Sequence, residues 1–598
     1  MATVGTNSPP ARKSETHMAQ HDLVIRNGLL VDGTGSDRRY GSIAVDGGLI
    51  TAVADKGSID ERDIGSSHRQ IDADGRLVTP GWVDMHTHYD AQATWDPHLT
   101  PSGWHGVTTV IMGNCGVGFA PAAADRHDWL IELMEGVEDI PGAAMHEGIE
   151  WEWETFPEYL DALSRRNWVA DIGTQVPHGA LRAFVMGERG AANEDATVDD
   201  IAEMARLTGE GLRAGALGFS TSRTPLHKSI HGELVPGTHA DIDELMGIAD
   251  AMAEAGHGVF QGAFHHTDVP DSFAWFKEIT RRTGKPLTFN FVQTDAAPDL
   301  WREVLGMLDE ARAEGLAVTG QSTGRPIGVL QSWLGTVHPF LGCPTWRREL
   351  AHLPEAELLR RLATPEIRKA LTTETPEGLS RFQQFVFRSW DKMWPFVGDA
   401  DYEPATQESV ANRALATGRK PVDIAYDQLM SNDGQGVLYF PLFNYTEHTL
   451  DPLFEMHQHP SVRMGLADSG AHCATICDGG MPSFMLSYWS RDRSRGERLP
   501  LELVVKRQTS ETAQHYDLYD RGVLAAGYRA DINLIDYDGL NVEAPHMVGD
   551  FPTGAKRYVQ KAVGYNATIC AGQVVSEDGE FTDALPGNLI RGPQALSD

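Results

Sequence analysis

Cysteine is scarce: five in 598 residues, too few for a disulfide framework. Basic residues are also in deficit, with 50 Lys and Arg against 84 Asp and Glu and a formal charge of −34. That balance opposes binding to nucleic acid or to an anionic membrane surface. The acidic excess is spread along the chain, so it does not point to a cationic substrate. No apolar run reaches the length of a membrane span, and no N-terminal stretch joins a basic region to an apolar core. Residues 1–20 are polar and read as disordered. What is left is a cytoplasmic enzyme with no membrane or nucleic-acid partner, long enough for a large core plus accessory domains.

Against this background one stretch stands out, Gly81-Trp-Val-Asp-Met-His-Thr-His-Tyr-Asp90. Val83, Met85, Thr87 and Tyr89 alternate with Asp84, His86, His88 and Asp90, which is strand periodicity with both histidines on one face. Two imidazoles at i and i+2 on a strand can face one metal ion. A second polar cluster, Met112-Gly-Asn-Cys-Gly116, follows the buried strand Trp104–Met112. Near the other end, the apolar run Met464–Ala467 delivers Asp468 ahead of Ser469-Gly470. An aspartate there either caps a helix or serves a site.

These segments carry a resemblance. Pro80–Asp90 resembles the first barrel strand of the metal-dependent amidohydrolase superfamily, and Gly113-Asn114-Cys115-Gly116 resembles an element of its D-aminoacylase branch, the N-acyl-D-amino-acid deacylases. Arg213–Thr221, Ala467–Gly470 and Asp520–Gly527 running into Ala530–Asn533 match as well, so the resemblance covers about residues 22–580. It implies an α/β fold: a (β/α)8 TIM-like barrel, with a small β-sandwich accessory domain formed by both chain ends. It also implies that Cys115 binds zinc, and that Asp468 binds the metal and acts as general acid and base. The metal set so implied is His86, His88, Cys115 and Asp468, with Zn2+ as cofactor, one or two divalent ions. Zinc suits a shell of imidazole, thiolate and carboxylate.

The rest of the chain is consistent with that architecture. Residues 21–33 read as two strands around a turn at Asn27-Gly28, and further short strands lie at 42–45, 49–53 and 70–78. Alternating strand and helix patterns from residue 104 to 323 read as (β/α) units. Strands at 532–536, 559–563 and 568–575 complete the accessory domain, and the acidic tail 576–598 is expected to wrap the surface. The expected domains are therefore 22–77 and 515–580 for the two sandwich halves and 78–485 for the barrel, with a helical insertion at 335–420. That insertion reads as a lid, an oligomer contact, or a subdomain packed for stability alone. Trp129, Trp151 and Trp153 either line a pocket or pack helices.

Candidate substrate-binding residues are Arg223 and Arg325, whose guanidinium fork matches a carboxylate, and His178, His265 and His266 at strand ends. Arg182 fits a helix-side ion pair equally well. Cys473 and Cys477 have no further partners for a separate structural zinc. The sequence departs from the branch in one region. Asn290-Phe291 stands where a Ser-His pair is expected on the fifth strand, and Gln321 and Gly324-Arg325-Pro326 stand where an Asp-x-Tyr-Pro-Tyr element is usual. His265-His266 replaces the usual His-x-Arg of the fourth strand. The expected reaction is hydrolysis of a small-molecule amide, an N-acyl-D-amino acid or a relative. A cyclic amide, aryl amide or ester, or a metal-poor non-catalytic homologue, is the alternative.

Overall fold

The computed structural model describes residues 21–596 except 59, 62, 63, 397 and 399. The polar segment 1–20 lies outside the described residues, as does the end of the tail. No helix among the described residues is long and apolar enough to cross a membrane.

Eight parallel strand segments form the barrel. Trp82–Asp84, Val107–Met112 and Asp171–Thr174 pair in one sheet. After Gln175 the third strand continues as Val176–Pro177, which opens a second sheet with Gly218–Arg223, Val259–Phe264, Leu287–Asn290, Val318–Ser322 and Val462–Met464. Backbone hydrogen bonds from Asp468 to His86 O (3.2 Å) and from His88 to Ser469 O (2.8 Å) join the last strand's continuation to the first. The strands are buried along nearly their whole length, as parallel strands covered by helices must be. Counted from Trp82, Asn290 ends the sixth strand and His265-His266 follow the fifth, one strand later than the family resemblance implies.

Both chain ends build one further sheet. Its order is Glu580–Phe581, Gln573–Glu577, Tyr565–Cys570, Ile532–Ile535, Leu77–Pro80, His21–Leu30, Arg39–Asp46 and Leu49–Asp55, with Ser67–Asp72 added on His21–Leu30. The halves meet where Ile532 pairs with Pro80 and Ile535 with Leu77. Leu23, Ile25 and Val78 share a core with Leu534 and Ile569. The expected turn at Asn27-Gly28 is instead a bulge inside one strand. Asn27 sits at φ 58°, the pairing slips between Ile25 and Gly28, and the strand continues to Leu30. The C-terminal tail then runs beneath the barrel, with bridges from Gly587 to Trp168 and from Leu589 to Ile172.

Between the seventh and eighth barrel strands the chain makes a helical excursion that includes Glu355–Leu362, Pro365–Thr373, Arg381–Arg388 and Pro421–Gly434. An antiparallel sheet of Gly328–Gln331, Trp394–Phe396 and Val437–Pro441 supports it. Its core is its own: Trp333, Phe340, Leu362, Phe387, Tyr426 and Leu429 are buried together. Most of its aromatics are therefore packing residues, with Phe382 half exposed.

Candidate metal centre

The C-terminal ends of the first, second and eighth strands converge on one cluster, at the face where this architecture places active sites. Donor atoms of His86, His88 and Cys115 all lie within 4.8 Å of one another, and all three residues are buried. Asp468 Oδ1 lies 3.2 Å from His86 Nε2 and 3.6 Å from His88 Nε2.

Local backbone explains how each side chain arrives. Cys115 and Asp468 both adopt the left-handed region, φ 56° and 47°, which is uncommon for residues with a Cβ. Gly113 and Gly116 flank the cysteine with φ 74° and 71°, and a Cβ on Gly116 would come within 2.6 Å of Ser222 N. Asn114 staples the turn to the first strand, donating to Thr87 O (3.2 Å) and Ile111 O (2.9 Å). Gln261 on the fifth strand accepts from Cys115 N at 2.9 Å. The motif thus needs glycines for the path, an asparagine for the staple and a thiol for the donor.

The second partners of the histidines set their orientation. Gln321 Oε1 lies 2.6 Å from His86 Nδ1. An amide oxygen only accepts, so Nδ1 carries the proton and the Nε2 lone pair faces Cys115 and Asp468. His88 Nδ1 lies 3.4 Å from Glu138 Oε1.

The electrostatics are those of a cation site. Burial pulls the His86 pKa down to about 4 and pushes the Cys115 thiol up to about 12. Burial would also raise the Asp468 carboxyl, but the His86 and His88 imidazoles beside it hold it well below the usual carboxylate range. For His88 burial opposes charge, yet the Glu138 carboxylate, and the Asp468 carboxylate on its other side, outweigh it and raise the pKa well above the ordinary value. Asp468 Oδ1 is buried without a hydrogen-bond partner, a further mark of a group built to face a ligand. Two imidazoles, a thiol and a carboxylate fit a divalent metal of the zinc type.

Above the cluster opens a cavity of about 420 Å³. His88, Cys115, Glu138, Asp468 and His472 lie at the metal end, while Val137, Leu226, Val292, Ile327, Leu442 and Phe443 supply apolar walls. Ser380 and Phe382 of the helical excursion complete the rim, and Lys228 is the one Lys or Arg among the lining residues.

The expected substrate contacts divide sharply. His266 lines the cavity, takes a hydrogen bond from Asn290 Nδ2 at 3.1 Å, and is pulled down to about 3 by burial. His265, His178, Arg223 and Arg325 do not line it. His178 is fully buried between Glu244 Oε1 (2.7 Å) and Thr221 Oγ1 (2.8 Å), and Arg182 pairs with the same glutamate. Arg223 donates to Ala240 O at 2.6 Å and lies over the Trp275 ring. Arg325 is buried 3.8 Å over Tyr402, donating to Asp478 and Gln560. The Arg325 guanidinium is enclosed by the protein, whereas that of Arg223 makes one backbone contact outside the cavity lining. Trp151 and Trp153 pack with His127, Phe119 and Tyr159, and Trp153 Nε1 donates to Phe119 O at 2.7 Å.

Sequence reasoning passed over Glu138, Gln261, His227 and Lys228. Glu138 carried one legible signal: two carboxylates, Glu138 and Asp139, end the helix His127–Glu138, where the macrodipole disfavours negative charge. The other three sit on loops or amide positions with no such mark.

The chain matches the model of the amidohydrolase family over residues 69–576. An uncharacterized protein of Mycobacterium tuberculosis is 27% identical over 623 residues, spanning 94% of this chain and 92% of that protein. The D-aminoacylase of Alcaligenes xylosoxydans xylosoxydans is 25% identical over 585 residues, 96% of this chain and 99% of its own length. Among solved structures, a D-aminoacylase studied for its binuclear metal centre superposes with a TM-score of 0.62 at 22% identity, over 96% of this chain and 100% of its own. The N-acyl-D-glutamate deacylase of Bordetella bronchiseptica, in complex with zinc and a phosphonate inhibitor, gives 0.60 at 22% identity with the same coverage. These two structures share the fold.

Proposed function

The chain belongs to the amidohydrolase family, and from that premise we propose that it hydrolyses the amide bond of an N-acyl-D-amino acid or a related amide with a bulky apolar part. As a member it is a metal-dependent hydrolase acting on carbon–nitrogen bonds. The observation that carries the finer reading is the placement of Asp468 Oδ1 within 3.2 Å of His86 Nε2 and 3.6 Å of His88 Nε2, in the lining of a largely apolar cavity.

His86, His88, Cys115 and Asp468 would hold the metal, with zinc the best fit to their chemistry. A bound divalent ion supplies Lewis acidity, polarising a scissile carbonyl and acidifying water. Asp468 takes the proton from the attacking water and returns it to the leaving nitrogen, a carboxylate kept ionised by its two imidazole neighbours. The walls around Leu442 and Phe443 exclude water and hold the apolar part of the substrate. Lys228, at the rim, takes the carboxylate of an amino-acid half, a role supported by its place in the cavity lining, from which Arg223 and Arg325 are absent.

The absence of both arginines from the lining favours a second reading. With one rim lysine as the cavity's cation, a neutral cyclic or aryl amide fits the apolar walls equally well. Paired D- and L-N-acyl amino acids, cyclic amides and aryl amides should be assayed side by side with zinc present. Release of free amino acid from the D-series supports the first reading. Turnover confined to cyclic or aryl amides transfers the site to the second, and release from the L-series alone removes the D assignment.

A further inference from the structure

Resting on the metal reading above, we propose that Glu138 is a positioning residue of the metal centre: its carboxylate receives the Nδ1 proton of His88 and so turns His88 Nε2 toward the ion. Three observations carry this. Glu138 is 2% exposed, and a carboxylate so buried needs a cationic or hydrogen-bonding partner. The groups within its reach are ligand-type imidazoles: His88 Nδ1 at 3.4 Å from Oε1, an ion-pair distance at which neither atom closes a hydrogen bond elsewhere, and His472 Nε2 at 3.7 Å from Oε2. On the far side of His88, Nε2 faces Asp468 Oδ1 at 3.6 Å, so the imidazole is strung between a backing carboxylate and the donor cluster.

The neighbourhood is built to keep Glu138 there. The next residue, Asp139, leaves the helix at φ 53° and accepts from Ala474 N (3.1 Å) and Thr475 Oγ1 (2.6 Å). His472 N donates to Glu138 O. The helix end is thus clamped to the loop that follows Asp468, and the clamp drives the Glu138 side chain inward against its unfavourable position at a helix C-terminus. The two histidines are backed differently. His86 leans on the amide of Gln321, His88 on a carboxylate, a backing group that raises the donor strength of the imidazole toward a metal.

The test is Co2+ affinity of the metal-free full-length chain, read by its absorption spectrum in competition with a chelator. The variants are Glu138→Ala, Glu138→Gln and Glu138→Asp, with melting of the metal-free proteins as the fold control. Glu138→Ala is expected to bind Co2+ roughly 10- to 100-fold more weakly with the band pattern of the parent. Glu138→Gln keeps the shape and an acceptor oxygen but not the charge, so it should lose less, and Glu138→Asp should recover part of the loss. Affinity within about twofold of the parent in Glu138→Ala overturns the proposal. So does a band pattern showing one donor fewer, which would make Glu138 itself a ligand. A parent chain that binds no Co2+ defeats the metal reading instead, so the two failures are told apart.

Discussion

At the scale of single residues, Asp468 decides the chemistry. Substitution Asp468→Asn removes the proton acceptor while keeping the shape, and asparagine tolerates the left-handed backbone that position 468 adopts at φ 47°. The variant should therefore fold and melt as the parent does, with turnover lowered by roughly 10²- to 10⁴-fold. Near-parental turnover in a folded Asp468→Asn protein would place the base elsewhere. His86, His88, Cys115 and Asp468 could be singled out from sequence because each occupies a short motif with its own spacing. The backing groups could not. Gln321 and Gln261 are amides on other strands, and their roles exist only once the barrel has closed around His86 and Cys115. Arg325 shows a different limit of the sequence. A strand end is where a substrate contact is expected, but nothing in the sequence near Arg325 tells that Asp478 and Tyr402 enclose its guanidinium.

At the scale of elements, the turn Gly113–Gly116 and the helical excursion make separable claims. Gly116→Ala puts a methyl group 2.6 Å from Ser222 N on a backbone at φ 71°. A loss of about 1–3 kcal/mol is expected in denaturant unfolding, together with weakened metal binding, because the strain falls on the turn that presents Cys115. An unfolding midpoint and a metal affinity both equal to the parent's would show that the turn has slack. In the excursion, Leu429 is fully buried in a core distinct from the barrel's, so Leu429→Ala should cost about 2–5 kcal/mol of that unit's stability. If the unit unfolds separately, two transitions should appear by calorimetry and only the one belonging to the excursion should move. A Leu429→Ala melt superimposable on the parent's would contradict the packing described. Strand and helix periodicity made the barrel's units legible. The Asn27-Gly28 bulge was not, because a dipeptide that favours a turn also fits a bulge, and only pairing with the neighbouring strand Arg39–Asp46 decides between them.

At the scale of the whole molecule, residues from the two chain ends share one sheet and one core, with Ile532 paired to Pro80 four residues before Asp84. The first barrel strand is continuous with that seam, so the metal centre depends on the C-terminal strands although none of them touches it. Ending the chain before Ile532 exposes the Leu77–Pro80 strand edge and the faces of Val78 and Leu23. Such a truncation is expected to aggregate, and recovery of a monodisperse truncated protein that binds metal would contradict the shared-sheet account. This dependence was readable in outline, since hairpin patterns bracket the barrel units at both ends, but the pairing register was not, because short alternating strands fit several partners equally well. The central claim is that His86, His88, Cys115 and Asp468 share a divalent ion. Elemental analysis of the full-length chain purified without chelator, beside its His86→Ala/His88→Ala variant, tests it most directly. At least about one divalent ion per parent chain is expected, and near none in a folded double variant. A parent without divalent metal, or a double variant that retains the parent's full content, would contradict it.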